Sequence, residues 1–197
     1  MRNIAIFGSG SGTNAENIIQ FFAKSDRIRV AVVLSNKKEA GIHERATRLS
    51  IPSFTFSFAE FKEGGVILDK LAEYHVDFIV LAGFLPLVSP VIIDAFPNGI
   101  INIHPALLPK FGGKGMYGAH VHEAVVAAKE TETGITIHYV NECYDEGTII
   151  FQAVCQVLPE DTANDVAAKV HALEYEHFPQ VIENLLSLHG NTKSENV

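Results

Sequence analysis

The segment Ile101-Asn102-Ile103-His104-Pro105 sets a carboxamide and an imidazole two residues apart. On a strand the two share a face, while Ile101 and Ile103 point to the other. Pro105 then ends the pairing and leaves His104 at the C-terminal edge, where open parallel sheets bind ligands. The pair suits transfer of an acyl carbon to a neutral amine. An amide N–H of Asn102 can stabilise a tetrahedral oxyanion, an effect of roughly 3–4 kcal/mol. His104 can donate to the same oxygen or assist the leaving nitrogen. Without chemistry, both residues would only satisfy hydrogen bonds at a strand end. An imidazole working near neutral pH is helped by a carboxylate, which favours the charged form and fixes the ring. Asp145 and Glu146, just before Gly147, are candidates, although Asp followed by Gly is also ordinary turn chemistry.

A second constellation is Gly8-Ser9-Gly10-Ser11-Gly12-Thr13-Asn14, between an apolar run and an amphipathic stretch. Small residues let the backbone turn tightly and come close to a ligand, and helix N-terminal amides attract anions. Thr13 and Asn14 can add side-chain hydrogen bonds to phosphate oxygens. A side chain at Gly12 is expected to block the approach of a phosphate. Gly10-x-Gly12-x-x-Ala15 satisfies a loose dinucleotide fingerprint, but the next strand ends in Leu34-Ser35-Asn36 with no acid for a ribose hydroxyl. No Gly-Lys-Ser/Thr follows, which excludes a Walker A loop. A phosphomonoester fits better than a dinucleotide.

Other chemistries find less support. His43-Glu44 and His122-Glu123 begin like a His-Glu-x-x-His zinc motif, but Thr47 and Val126 occupy the last position, so no metal is expected. No Gly-x-Ser-x-Gly elbow occurs. Glu174 and Tyr175 fall on the last helix, where side chains of these types are usually at the surface.

The elements that must position these residues alternate through the first hundred positions. Strands are expected at Ile4–Phe7, Arg29–Leu34, Ser53–Phe56, Phe78–Ala82 and Ile100–Ile103, with helices at Asn14–Lys24, Glu39–Leu49, Ala59–Tyr74 and Ser89–Ala95. Apolar strands separated by helices imply an α/β fold: a Rossmann-like, doubly wound, mostly parallel sheet. After His104 the rhythm changes to a long glycine-rich loop, Phe111–Gly118, and a short helix near 120–129. Segments Ile135–Val140 and Thr148–Val157 then read as an antiparallel hairpin extending the sheet. Asp161-Thr162 caps a final helix over about 163–188, with a kink expected at Pro179. One domain is expected over 1–190, its N-terminal part (about 1–100) binding phosphate and the rest carrying catalysis, followed by a flexible tail at 191–197.

Composition fits that plan. The chain has 197 residues, 47% of them apolar, with a formal charge of -8. Such a charge disfavours a general nucleic-acid or membrane-surface binder. No apolar stretch approaches the roughly 20 residues that span a bilayer. Cys143 and Cys155 each have alternating apolar neighbours and are expected to be buried or half-buried thiols in a reducing compartment. A cytoplasmic location follows.

The chain resembles the phosphoribosylglycinamide formyltransferase family, folate-dependent enzymes of purine synthesis. The resemblance covers Asn3 to Leu186 and rests on Gly12-Thr13-Asn14, Leu81-Ala82-Gly83-Phe84, Ser89-Pro90, Asn102-x-His104-Pro105 with Leu107-Leu108-Pro109, and Asp145-x-Gly147. It implies transfer of formyl from 10-formyltetrahydrofolate to glycinamide ribonucleotide. It further implies that Gly12, Thr13 and Asn14 bind the substrate phosphate and Glu174 its ribose. Asn102, His104 and Asp145 become the catalytic group, with Asp145 raising the His104 pKa. The folate cleft is lined by Leu85, Pro86, Leu87, Val88 and Asn102, opposite the hairpin connection. The two small molecules are then the partners, without nucleic acid, membrane or metal, and the chain acts as a monomer or weak homodimer. Two departures stand out: Pro86 replaces a basic residue of some bacterial members, and the segment from Phe111 to His120, with Lys114, is longer and richer in glycine. Related transferases with an added RNA-binding domain, or deformylases with a regulatory domain, do not match this length. An aminosugar-nucleotide formyltransferase and a non-catalytic nucleotide-binding module are the alternatives.

Overall fold

A computed structural model describes residues 1–188. In chain order the elements are β1 (Arg2–Phe7), α1 (Thr13–Phe22), β2 (Ile28–Ser35), α2 (Gly41–Arg48), β3 (Ser53–Thr55), α3 (Phe58–Glu63) and α4 (Gly65–Glu73). They continue as β4 (Phe78–Leu81), α5 (Pro90–Ala95), β5 (Ile100–His104), α6 (Ala119–Ala127), β6 (Glu132–Tyr139), β7 (Ile149–Gln156) and α7 (Ala163–Leu188). The seven strands form one sheet in the order β3-β2-β1-β4-β5-β6-β7. The first five are parallel, whereas β6 is antiparallel to β5 and β7 to β6. This is the expected Rossmann-like sheet extended by a hairpin. Successive crossovers leave β1 in opposite directions toward β2 and β4, so the strand order reverses at the C-terminal ends of β1 and β4. Ligands of such sheets bind at that crevice.

Both faces are covered. On one side Ile4, Ile6, Ile101 and Ile103 pack with Ile18 and Phe22 of α1 and Phe178 and Ile182 of α7. On the other, Ala5, Phe7, Ile79 and Ile100 meet Phe56, Phe61 and Phe84, whose rings stack or meet edge-on at 5.1–6.4 Å. Burial on both faces explains why these strands read as continuous apolar runs.

One helix expected over Ala59–Tyr74 is two. Gly64, at φ 80°, takes the Glu60 carbonyl to close α3 and offers its own to Leu68 to open α4. A side chain there would lie 2.9 Å from Val91, so close packing of α5 adds to the left-handed backbone in requiring glycine. Thr162 and Asp165 bond reciprocally at the start of α7, which runs unbroken through Pro179. Cys155 is half-buried as expected, but Cys143 is exposed because it sits in the 140–148 connection rather than on a strand. Residues 191–197, expected as a tail, lie outside the described residues. Among the described residues no helix is long and apolar enough to cross a membrane.

Candidate active site

On β5, alternation works as the sequence implies. Ile101 and Ile103 are buried in one core layer, while Asn102 and His104 border a cavity of about 680 Å³ at the C-terminal edge of the strand, which Ile103 also touches. His104 is the last paired residue of the strand, opposite Thr136 of β6, and is only 3% exposed. The hydroxyl of Thr136 donates to the Ala106 carbonyl at 2.7 Å. It accepts from the Leu108 N–H at 3.0 Å and from Gln152 at 2.9 Å, and so anchors the backbone that leaves the strand.

The His104 ring is held from both sides. Its Nε2–H donates to the Phe111 carbonyl at 2.8 Å, and Nδ1 stands 3.4 Å from Oδ2 of Asp145. A carbonyl only accepts, so Nε2 carries a proton, and the carboxylate favours a second on Nδ1. Burial works against the charged ring and is the largest influence. His104 therefore sits below the ordinary histidine value, with Asp145 and Phe111 pulling it up and His138 pushing it down. Asp145 pulls the His104 pKa upward, but desolvation exceeds that pull.

Asp145 occupies a left-handed backbone position, φ 57°, in the connection between β6 and β7. Burial raises its pKa, yet contacts with His138, His104 and the Gly113 amide (3.0 Å to Oδ2) outweigh this and hold the carboxyl below its usual range. The two residues do not shift as a simple ion pair would, one up and one down. Asp145 has donors at both oxygens, whereas His104 is more deeply enclosed and has only two acceptors.

The structure adds His138, which sequence reasoning did not single out. It lies opposite Asn102 in the β5–β6 register. Its Nδ1–H donates to the Tyr139 carbonyl at 2.8 Å, while Nε2 stands 3.1 Å from the Asn102 amide nitrogen and 3.5 Å from Oδ1 of Asp145. An Asn102 amide hydrogen also faces Oδ1 of Asp145 at 3.5 Å, the outer limit of bonding. That hydrogen is free to turn to a developing oxyanion. Alternation along Ile135–Val140 marks a strand but not which residue faces Asn102; only the antiparallel register does.

The glycine loop borders the other end of the same cavity, from Ser9 to Asn14. The first helical N–H to find a partner is that of Glu16, bonded to the Gly12 carbonyl at 2.9 Å, and the amides of residues 10–15 are unpaired among the described residues, whereas that of Ser9 donates to the Gly83 carbonyl. Two details differ from expectation. The Asn14 amide, expected to reach a phosphate, instead donates to Oε2 of Glu174 at 2.9 Å, leaving its Oδ1 buried without a partner. Gly12 has φ 77°, and a Cβ on it would lie 2.6 Å from the Ile42 Cα, so a side chain there would first strike α2. Gly10 has open space where its Cβ would stand.

Glu174 is 6% exposed and faces the cavity from α7, whereas Tyr175 is 39% exposed. Burial raises the Glu174 pKa, and Asn14 and His171 only partly offset it. Lys37 and His171 also line the cavity without having been read from sequence, together with His122, weighed there only as a zinc ligand, and Lys114 of the glycine-rich loop. The expected folate cleft is a separate recess of about 50 Å³. Leu85, Pro86, Leu87 and Val88 form one wall and Cys143, Tyr144 and His138 the other, with Asn102 and Asp145 bordering both spaces. That volume holds a few waters. A fused-ring ligand requires the walls to separate.

The fold and this site have known counterparts. The family model described as formyl transferase matches residues 2–182. A chloroplastic phosphoribosylglycinamide formyltransferase of Vigna unguiculata is 41% identical over 93% of the chain, which spans 61% of that relative's length. The phosphoribosylglycinamide formyltransferase of Bacillus subtilis is 34% identical over 96% of this chain and 97% of its own. The crystal structure of phosphoribosylglycinamide formyltransferase from Bacillus halodurans superposes with a TM-score of 0.85 at 38% identity, covering 94% of this chain and 96% of that one. With the match running from β1 into α7 and through every element that carries the cavity, the chain belongs to the formyl transferase family.

Proposed function

We propose that the protein transfers the formyl group of 10-formyltetrahydrofolate to the amine of glycinamide ribonucleotide, giving formylglycinamide ribonucleotide and tetrahydrofolate. The observation that carries this reading is one continuous cavity with unpaired amides of residues 11–14 at one end and Asn102, His104 and Asp145 at the other. A phosphate on the loop directs the rest of a nucleotide past Glu174 toward the polar pair. The recess behind Asn102 suits the folate, so the formyl carbon meets the amine beside β5. The amine nitrogen bonds to the formyl carbon and the carbon–N10 bond breaks, while one proton leaves the amine and one arrives on N10. Asn102 donates to the intermediate oxygen, and His104, steadied by Asp145, carries the proton.

Residues 1–190 act as a single domain in this reading, as a monomer or weak homodimer without a metal. Two unpaired thiols suit a reducing compartment, and we assign the cytoplasm. The test is formyl transfer by the purified protein from 10-formyltetrahydrofolate to glycinamide ribonucleotide, to an aminosugar nucleotide and to water. Preferred transfer to glycinamide ribonucleotide is expected, with kcat falling at least about 100-fold in His104→Ala. No transfer to that acceptor, or equal rates in both proteins, would refute it.

A further inference from the structure

Glu16 lies in the first turn of α1, where a free carboxylate would repel an anion held at that helix end. It is not free, because Arg45 and Arg48 of α2 each bond one of its oxygens. Arg45 makes a further contact, its Nε–H donating to the Ser11 carbonyl at 2.8 Å. One peptide earlier, the Ile42 N–H of α2 donates to the Gly10 carbonyl at 3.2 Å.

These two contacts determine where the next amides point. A trans peptide carries its C=O and N–H on opposite sides. Holding the Gly10 and Ser11 carbonyls against α2 turns the Ser11 and Gly12 N–H groups away from it. Residues 9–14 all border the large cavity, and among the described residues none of α2 does. Away from α2 is therefore toward the cavity. Neither N–H has an acceptor among the described residues.

We propose that Arg45 is a positioning residue for the anion loop. It acts through the Ser11 carbonyl to aim two amides, and through Glu16 to neutralise the carboxylate in the helix's own first turn. This inference rests on the reading of residues 11–14 as the phosphate site. Arg48 shares only the second task, which makes it the internal control.

The experiment measures inorganic phosphate binding by calorimetry and steady-state kinetics for both substrates in wild type, Arg45→Met, Arg45→Lys and Arg48→Met. Methionine keeps the aliphatic stem and removes the donors. In Arg45→Met we expect phosphate Kd and the KM for glycinamide ribonucleotide to rise about tenfold, with folate KM and kcat within about twofold. Arg45→Lys should fall between that variant and wild type, and Arg48→Met, which keeps the Ser11 bond and one arginine on Glu16, should show a clearly smaller rise than Arg45→Met. Equal rises in both KM values, no change in Arg45→Met, or an equal defect in Arg48→Met would overturn the proposal. If Arg45→Met does not fold, an Arg45→Lys protein indistinguishable from wild type overturns it. Wild type that binds no phosphate would remove the anion site itself, whereas binding unaltered by Arg45→Met removes only the clamp.

Discussion

Nδ1 of His104 faces Oδ2 of Asp145 at 3.4 Å, yet the imidazole stays harder to protonate than an ordinary histidine. Enclosure under the 111–118 loop and β6 withholds water from the ring, and one partly screened carboxylate does not replace it. In the proposed transfer, a ring harder to protonate than an ordinary histidine serves as the acceptor of the proton an attacking amine gives up.

The first prediction separates the two influences on that ring. In Asp145→Asn the upward pull is gone while burial remains, so the His104 titration seen by NMR should move further down. An upward shift would mean that the carboxylate is not its main positive influence. The same shift has a stability sign. Because the folded value lies below the ordinary 6.5, the unfolded chain takes up the proton first. His104 thus costs nothing above pH 6.5 and lowers stability as pH falls from there to the folded value, where the loss is complete. Denaturant melts across that window should show the slope, and His104→Ala should flatten it.

Glu174 shifts the other way. Its folded value is raised above 4.5, so its contribution is most favourable below that pH and is lost as pH rises through the folded value. Glu174→Gln keeps an acceptor for Asn14 and removes the buried charge. The variant should unfold at a higher temperature than wild type at pH 7.5, with the gain vanishing near pH 4. Its KM for glycinamide ribonucleotide should nonetheless rise about tenfold, since an acceptor for ligand hydroxyls is weakened. A variant less stable than wild type at pH 7.5 would contradict the burial argument.

Gly12 and Gly10 should respond differently. Gly12→Val meets both a left-handed backbone and the Ile42 Cα, and should lose about 2–4 kcal/mol of stability in denaturant melts. Gly10→Ala, with nothing within 4 Å, should fold as wild type does. A Gly12→Val protein of wild-type stability would show that α2 yields at that contact.

Thr136→Val keeps the shape of a fully buried side chain and deletes its hydroxyl. The Ala106 carbonyl and the Leu108 N–H lose their partner, which should cost about 2–4 kcal/mol. Chemical denaturation measures this directly, and a change under about 0.5 kcal/mol would mean that water replaces the hydroxyl.

The sequence made the β5 pair legible because a period of two on an apolar strand leaves little choice of face. The glycine loop was legible for a similar local reason. The break at Gly64 was not, since the amphipathic pattern runs through it, and both its left-handed backbone and the approach of Val91 belong to the folded chain. Nor was the role of Gly12, whose close neighbour Ile42 is distant in sequence. His138 depends on strand register, and the net basicity of His104 on how completely other segments cover it. Neither quantity exists until the chain is folded.

The bond between Asn14 and Glu174 joins positions 160 residues apart, the start of α1 and the 26-residue helix α7. The anion loop and β5 are synthesised long before that helix leaves the ribosome. A nascent chain can therefore assemble β1–β5 while the end of its cavity beside α1 is still unwalled. Closure of the cavity beside α1 is thus a step separate from formation of β1–β5, set by the docking of one helix.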